Sequence, residues 1–302
     1  GLHKFGTALG MIKNLSILFF IVLFNCTSNP FWSDNPSKKI TIQGNVVAES
    51  RASDTPVFIF VEGLNVFSQT DTSGFYSIEL PNLELETGNF SGAVKVFYYM
   101  HNYKIAYSTL YITSGRLTGS QTDFDKDGVL LETVTLKKLL SLDFSLNGSW
   151  NRSDGDSLRF SLILNSYEEP VSILSYVNVI PDPRRYVPSG VLLKSMQNSG
   201  VYYDKNDADI IVHTDISANE TVVFDYDISA DGFFPFEVND YISMDQQIME
   251  NGLYHVLPYI FVIQENIPNE MFFCMGISNA QNISVGHLNM PIDMPSKTIL
   301  IQ

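Results

Sequence analysis

Short runs in which apolar and polar residues alternate constrain the fold of this chain more than any other feature. In the first run, residues 40–46, Ile, Ile, Gly and Val occupy every second position and polar residues lie between them. A period of two puts alternate side chains on opposite faces of a strand, whereas an amphipathic helix needs a period of 3.6. Further strand-like runs, separated by Gly, Pro, Asn and Asp, continue to the end of the chain. The sequence therefore predicts an all-β fold made of β-sandwiches.

Composition limits what the surface can bind and what can stabilise the fold. The chain has 18 Lys and Arg against 33 Asp and Glu, a formal net charge of −15. Such a surface repels nucleic acid, so no nucleic-acid partner is expected. Cys26 and Cys274 are the two cysteines, so a framework of several disulfides is excluded. Stability must then come from the burial of apolar surface.

The segment from Met11 to Cys26 has the layout of an export signal. Lys13 supplies a basic start, and the apolar run from Leu15 to Phe24 follows it. About ten apolar residues is signal-peptide length, since roughly 20 are needed to span a bilayer. Residues 1–10 are expected to precede the natural start. We therefore predict that residues 1–25 contribute nothing to the mature fold.

The end of this segment, Leu23-Phe24-Asn25-Cys26, resembles the lipobox of bacterial lipoproteins. The strict pattern has small residues before the cysteine, and the bulkier residues here are similar to the relaxed, spirochaete-type form. The resemblance implies that Cys26 is the lipidated first residue of a mature protein anchored in the bacterial outer membrane. A cysteine that carries two or three acyl chains satisfies the need for more than one chain in stable attachment. The alternatives are an ordinary cleaved signal, with no role for Cys26, and an uncleaved anchor.

Residues 26–38 follow as a tether, because they are rich in Pro, Ser and Asn and lack an apolar period. The next part of the chain contains the motif Thr70-Asp71-x-x-Gly74-Phe75-Tyr76. In this turn Asp71 is expected to cap the main chain and Gly74 to supply a positive φ. An aromatic residue at 75 or 76 is then expected to begin the next strand facing the core.

This motif, together with Ile42-x-Gly44-x-Val46 and Pro56-Val57-x-Ile59, resembles the carboxypeptidase regulatory-like domain. That family has a transthyretin-like, seven-stranded β-sandwich, and the resemblance covers residues 39–137. It implies an accessory or interaction module, not a peptidase, because the zinc ligands of metallocarboxypeptidases belong to a separate catalytic domain. Residues 138–302 hold further strand-like runs and turn signals, and we predict a second β-sandwich domain there, Ig-like in architecture.

The hairpin at residues 94–107 carries more aromatic residues than one sandwich core needs. Tyr99, Tyr103 and Tyr107 are candidates for an exposed ligand-binding platform, on which a glycan would stack or a protein would dock. The alternative interpretation is that these aromatic residues pack against the second domain.

Asp123, Asp125 and Asp127, followed by Gly128, resemble the first half of a calcium loop. Oxygen ligands at positions 1, 3 and 5 converge when a glycine at position 6 makes the sharp turn. The bidentate Glu expected at position 12 is Val134 in this chain. Calcium is therefore one interpretation, and a solvated acidic turn is the other. No cofactor is required by any motif.

Three classes of function remain after these observations. The first is a membrane-anchored, non-catalytic lipoprotein that acts as a protein-interaction or envelope scaffold module. The second is a glycan-binding, adhesin-like surface module, which needs the three tyrosines exposed on one face. The third is a hydrolase whose carboxylates converge from distant strands. We predict the first class, and no residue is predicted to be catalytic.

Overall fold

The computed structural model describes residues 40–302, apart from 82–89, 120–121, 147, 152–156, 182–183, 190, 205–209, 229–232, 236–248 and 279–284. The predictions for the export signal, for Cys26 and for the tether fall on residues 1–39 and lie outside the described residues.

Eight strands make up the first half of the described chain. They are β1 (Thr41–Ala48), β2 (Phe58–Val61), β3 (Val66–Gln69), β4 (Phe75–Glu79), β5 (Gly92–Tyr99), β6 (Ala106–Thr113), β7 (Arg116–Thr118) and β8 (Val134–Leu136). Strand β1 lies between β4, which is antiparallel to it, and β8, which is parallel. The other five form an antiparallel sheet in the order β3-β2-β5-β6-β7. These two sheets are the layers of a β-sandwich.

Alternating apolar residues from both sheets form the first core cluster. Ile42 and Val46 of β1 are buried, as are Tyr76 and Ile78 of β4, and they pack against alternate residues of the five-stranded sheet. The period of two in the sequence thus becomes one buried and one exposed face in the outer strands.

The predicted turn at Asp71 is confirmed. One carboxylate oxygen of Asp71 accepts hydrogen bonds from the main-chain N–H groups of Ser73 and Phe75, each at 2.9 Å. The hydrogen bond from the Ser73 side chain contributes most to the lowering of the Asp71 pKa, and the main-chain hydrogen bonds lower it further. Gly74 has a φ of +87°, and the aromatic residue that faces the core is Tyr76.

Replacing Gly74 with Ala is expected to lower the free energy of unfolding by about 2 kcal/mol, from the strain of a positive φ and from a steric clash. A Cβ at this position would collide with the carbonyl oxygen of Val46. Gly63 is a matched control, because it also has a positive φ (+75°), but no atom lies within 4 Å of the place that a Cβ would take. Urea denaturation of both variants separates the two effects, and equal losses would show that the clash with Val46 contributes nothing.

The second half adds thirteen strands, one α-helix and one 3₁₀ helix in the described residues. The strands are β9 (Leu140–Leu146), β10 (Ser149–Trp150), β11 (Leu158–Ser166), β12 (Val171–Pro181), β13 (Arg184–Ser189), β14 (Val191–Ser195), β15 (Val201–Asp204), β16 (Ile210–Ile216), β17 (Thr221–Ile228), β18 (Phe233–Pro235), β19 (Gly252–Pro258), β20 (Ile260–Ile263) and β21 (Thr298–Ile301). The helix α1 spans Asn269–Cys274, and the 3₁₀ helix spans Val285–Asn289.

In the described residues, three sheets organise the second half. Their orders are β10-β21-β19-β14-β15-β18, β17-β11-β9 and β13-β12-β16, and β20 pairs with β12. Apolar residues between these sheets, such as Leu162, Val191 and Ile299, form a second core cluster. The all-β prediction is confirmed, with sheets packed face to face.

A third apolar cluster joins the two halves. It contains Phe58, Phe60, Phe97 and Tyr99 from the five-stranded sheet, together with residues of β20 and α1 and with Met290, which follows the 3₁₀ helix. The central strands β2 and β5 of the five-stranded sheet are therefore covered on both faces, and residues 40–302 form one unit. The first core cluster ends at Leu136 and the second begins at Leu139. Two separate domains, with a boundary at residues 137–138, remain a prediction.

Candidate functional site

The three tyrosines predicted as a platform are not exposed together. Tyr99 and Tyr103 are fully buried, whereas Tyr107 is 56% exposed. The Tyr99 hydroxyl lies 2.6 Å from His101 Nδ1, and the Tyr103 hydroxyl donates to Asp293 at 2.7 Å. The exposed platform is therefore wrong for Tyr99 and Tyr103, because Tyr99 packs in the third apolar cluster and Tyr103 packs in the first core cluster.

Strand register explains the surplus of aromatic residues. Phe67, Phe60, Phe97 and Tyr107 are successive cross-strand neighbours in β3, β2, β5 and β6. The two inner members of this row are buried in the third cluster, and the two outer members are exposed. The interpretation in which the aromatic residues of the hairpin pack against the second half is confirmed for Phe97 and Tyr99, which share the third cluster with residues of β20 and α1.

The three acidic residues of the predicted calcium loop are engaged by protein donors. Asp125 caps its own turn by accepting the main-chain N–H groups of Asp127 and Val129 at 2.9 and 2.8 Å. Asp123 accepts the main-chain N–H of Thr109 at 2.7 Å. Asp127 pairs with the adjacent Lys126 at 3.0 Å. Among the described residues no group of three His, Cys, Asp or Glu is placed to hold a metal ion, and calcium stays a prediction.

A buried carboxylate, Asp293, lies at the centre of the contact between the halves. Its oxygens accept hydrogen bonds from the main-chain N–H groups of Ala52 and Ser53, from the Ser53 hydroxyl and from the Tyr103 hydroxyl. Lys138 Nζ lies 2.8 Å from Asp293 Oδ2, and both side chains are almost completely buried. Residues of the first half and of the start of the second half thus all contact Asp293, which lies near the C-terminal end of the chain.

Electrostatics keep this carboxylate charged. Burial by itself raises the pKa of Asp293, but the hydrogen bonds from Lys138, Ala52, Tyr103 and Ser53 together bring it below its usual range. Burial is also the main reason why the pKa of Tyr103 is raised. At neutral pH Asp293 is therefore charged and Tyr103 is neutral, and the hydrogen bond between them joins the two halves.

A neutral histidine makes a second contact between the halves. His101 is fully buried, and its Nε2 lies 2.9 Å from Ile260 O and 3.0 Å from Val262 N. Burial lowers the pKa of His101 to about 4. The ring is therefore neutral at physiological pH, with one nitrogen as donor and the other as acceptor.

A groove of about 600 Å³ opens on the surface beside these contacts. Strand β3 forms one wall with Phe67, Ser68 and Gln69, and the opposite wall comes from the end of α1 and the end of the 3₁₀ helix. The lining is a mixture of apolar side chains and uncharged polar ones. Its volume lies in the range of roughly 300–1,000 Å³ that ligand sites occupy in proteins.

Cys274 lies on the wall formed by α1. Its side chain is half-buried, and burial raises the pKa of the thiol. A thiol with a raised pKa is a poor nucleophile at neutral pH, because the thiolate is the reactive form. Cys274 therefore contributes apolar surface to the groove.

Sequence reasoning missed both Asp293 and the groove. One signal pointed to Asp293, which is a lone charge in the apolar segment 290–295. A charged residue in such a segment is rarely buried without a partner. The groove had no comparable signal, since its walls come together only when residues 55–69 meet residues 274–291.

In the described part of the chain, no helix has both the length and the apolar character that crossing a bilayer requires.

No protein-family model matches the chain, and no curated protein matches it. Among solved structures it is similar to the Bacillus anthracis TIE protein, with 9% sequence identity and a TM-score of 0.21, over 75% of this chain and 31% of that one. It is also similar to BcpA, the major pilin subunit of Bacillus cereus, with 10% identity and a TM-score of 0.20, over 76% of this chain and 96% of that one. The chain thus spans less than a third of the TIE protein. Neither likeness assigns it to a family.

Proposed function

We propose that this chain is a non-catalytic lipoprotein of the bacterial outer membrane, anchored through Cys26, whose β-sandwich body binds a protein partner as an interaction or envelope scaffold module. The single observation that carries the binding role is the uncharged groove beside strand β3. Surfaces that combine apolar side chains with a few polar groups are where ligands and partners bind most often.

The anchoring role rests on the sequence from Met11 to Cys26, whose short apolar run ends in a cysteine. An acidic chain with a net charge of −15 gains no attraction to anionic lipid from its surface. Attachment through acyl chains solves this problem, because it depends on apolar burial and not on charge.

The non-catalytic part of the proposal rests on what the perturbed ionisable groups do. Asp293, Tyr103 and His101 have shifted pKa values, and such groups are often catalytic. Here all three are fully buried and bonded to groups of the protein itself. Their shifts follow from their role in joining the halves.

The glycan-binding alternative has less support. It needs several coplanar aromatic side chains on the surface, and Tyr107 alone remains exposed among the three candidates. Lys95 Nζ also lies 4.7 Å from the centre of the Tyr107 ring and covers part of it.

Replacing Cys26 with Ala tests the anchor. In bacterial cells supplied with an alkyne-labelled fatty acid, we expect the wild-type chain to carry label and to sediment with membranes. The Cys26→Ala chain should carry no label and should move to the soluble fraction, because its only acylation site is gone. Cys274→Ala is the matched control and should behave like the wild type.

Protease added to intact cells then distinguishes the two faces of the membrane. Digestion of the wild type on intact cells would place the protein on the surface, and protection until the membrane is breached would make an envelope scaffold the better description. A Cys26→Ala chain that still sediments with membranes would contradict the lipoprotein assignment.

A further inference from the structure

Strand β3 is the outermost strand of its sheet, and within the described residues only β2 pairs with it. The main-chain N–H of Thr70 donates to Val57 O at 3.0 Å, which fixes the alternation of hydrogen bonds between the two strands. In an antiparallel pair, residues whose main-chain N–H and C=O groups bond to the partner strand alternate with residues whose main-chain groups point away from it. The main-chain N–H and C=O groups of Phe67 and Gln69 therefore face the open edge. Such an edge is ready to pair with one more strand.

The side chains of the same two residues line the groove. Phe67 and Gln69 are joined there by Phe58, whose ring stacks on that of Phe67 at 5.3 Å. Side chains at positions i and i+2 of a strand lie on one face of the sheet. A strand added beside Phe67 and Gln69 would therefore place two alternate side chains in the groove and point the residue between them away.

Charge selects among the peptides that could add to this edge. None of the residues that line the groove is charged. Three exposed acidic residues lie next to it in the chain, because Asp54 precedes a lining residue, Asp71 follows Gln69 by two positions, and Glu270 lies one helical turn before Cys274. A partner with Lys or Arg beside its apolar residues complements this charge, and an acidic partner is repelled.

We propose that the open edge of β3 and the groove bind an extended, cationic peptide segment of a partner protein by antiparallel strand addition. The segment has apolar residues at two alternating positions and Lys or Arg next to them. Main-chain hydrogen bonds to Phe67 and Gln69 supply affinity, and the two alternate side chains supply selectivity. This inference rests on the proposed function and gives the interaction module a surface and a partner chemistry.

Three synthetic peptides test the inference against the full chain in detergent micelles. The first is Lys-Val-Thr-Val-Lys with blocked termini, the second carries N-methyl groups on both valines, and the third has Glu in place of both Lys. We expect the first peptide to bind in isothermal titration calorimetry. The second should bind at least about tenfold more weakly, since it keeps the side chains but cannot donate its two main-chain hydrogen bonds. The third should bind more weakly still at low salt, because like charges repel.

Two variants of the chain test the same surface. Phe67→Ser removes one apolar wall and should weaken binding of the first peptide by at least about tenfold. Phe273→Ser is the matched control, because Phe273 is also exposed and adjoins the groove in the chain without lining it. Gln69→Pro removes one outward N–H, which an edge strand tolerates, and should weaken binding by about 2- to 10-fold. Thermal unfolding of each variant checks that the fold is kept.

Several results would overturn the inference. Absence of binding up to about 1 mM peptide, or equal binding of the N-methylated peptide, would exclude strand addition. Equal effects of Phe67→Ser and Phe273→Ser would place the peptide elsewhere. Self-association that Gln69→Pro abolishes would identify a second copy of the chain as the occupant. The anchoring result is independent, since a chain that fails to bind peptide can still be released by Cys26→Ala.

Discussion

Replacing Asp293 with Asn is expected to lower the free energy of unfolding by about 3–5 kcal/mol, because removal of one partner of a buried ion pair leaves the other charge uncompensated. Lys138 and Asp293 side chains are 3% and 0% exposed, and 2.8 Å separates their charged atoms. The replacement also turns an amide NH₂ toward groups that are themselves donors, such as the main-chain N–H of Ser53. The loss therefore has an electrostatic part and a hydrogen-bonding part.

Urea denaturation at pH 7, followed by circular dichroism, measures this loss. Asp227→Asn is the matched control, because Asp227 also pairs with a cation, Arg159, at 3.2 Å, but both side chains are more than half exposed. Exposed pairs contribute roughly 0–1 kcal/mol, so the control should stay within that range. A loss for Asp293→Asn no larger than that of the control would show that the buried pair does not hold the halves together.

Much of the first half could be predicted from its sequence, because local periodicity and turn chemistry determine it. The alternation at residues 40–46 became strand β1, and Asp71 and Gly74 make the expected turn. The sequence also indicated that both faces of strand β2 would be buried. Residues 57–61 form a continuous apolar run, which is typical of a strand buried on both faces, and every residue of β2 is buried.

The candidate site could not be predicted in the same way. Asp293 contacts residues 155 to 241 positions earlier in the chain, and no local pattern encodes a pairing over such distances. Tyr99 and Tyr103 have the same residue type and the same hairpin as Tyr107, yet they are buried and Tyr107 is exposed. Tyr99 is buried because α1 and β20 pack over it, whereas Tyr103 is buried in the first core cluster, and the sequence of the hairpin alone predicts neither contact.

The pH dependence of stability is expected to show a loss of about 3 kcal/mol between pH 6.5 and pH 4, because His101 is held neutral in the folded state. Burial lowers its pKa from 6.5 to about 4. Below pH 6.5 His101 binds a proton in the unfolded chain, but in the folded chain it does so only near pH 4. Stability from this group is therefore complete above pH 6.5 and falls by about 1.4 kcal/mol per pH unit through the window.

The carboxylate at the junction acts in a different window. The pKa of Asp293 is lowered from 3.8, so its contribution is present above that value and is lost only as the pH falls further. A fall in stability that begins near pH 6 is therefore assigned to His101, and a further fall below pH 4 includes Asp293. The two contacts between the halves can be separated by pH alone.

Urea denaturation at half-unit steps from pH 7.5 to pH 4 measures this slope in the wild type and in His101→Gln. The variant should lose the slope, since glutamine does not titrate, even though its stability at pH 7.5 is also lower. His213→Gln is the matched control. The side chain of His213 is 54% exposed, so this substitution should leave the slope unchanged. A wild-type curve that is flat between pH 6.5 and pH 4 would mean that the folded chain admits a proton at His101 at no cost. The contact of that ring with Ile260 and Val262 would then be loose enough for water to enter, because only a solvated imidazolium keeps its ordinary pKa.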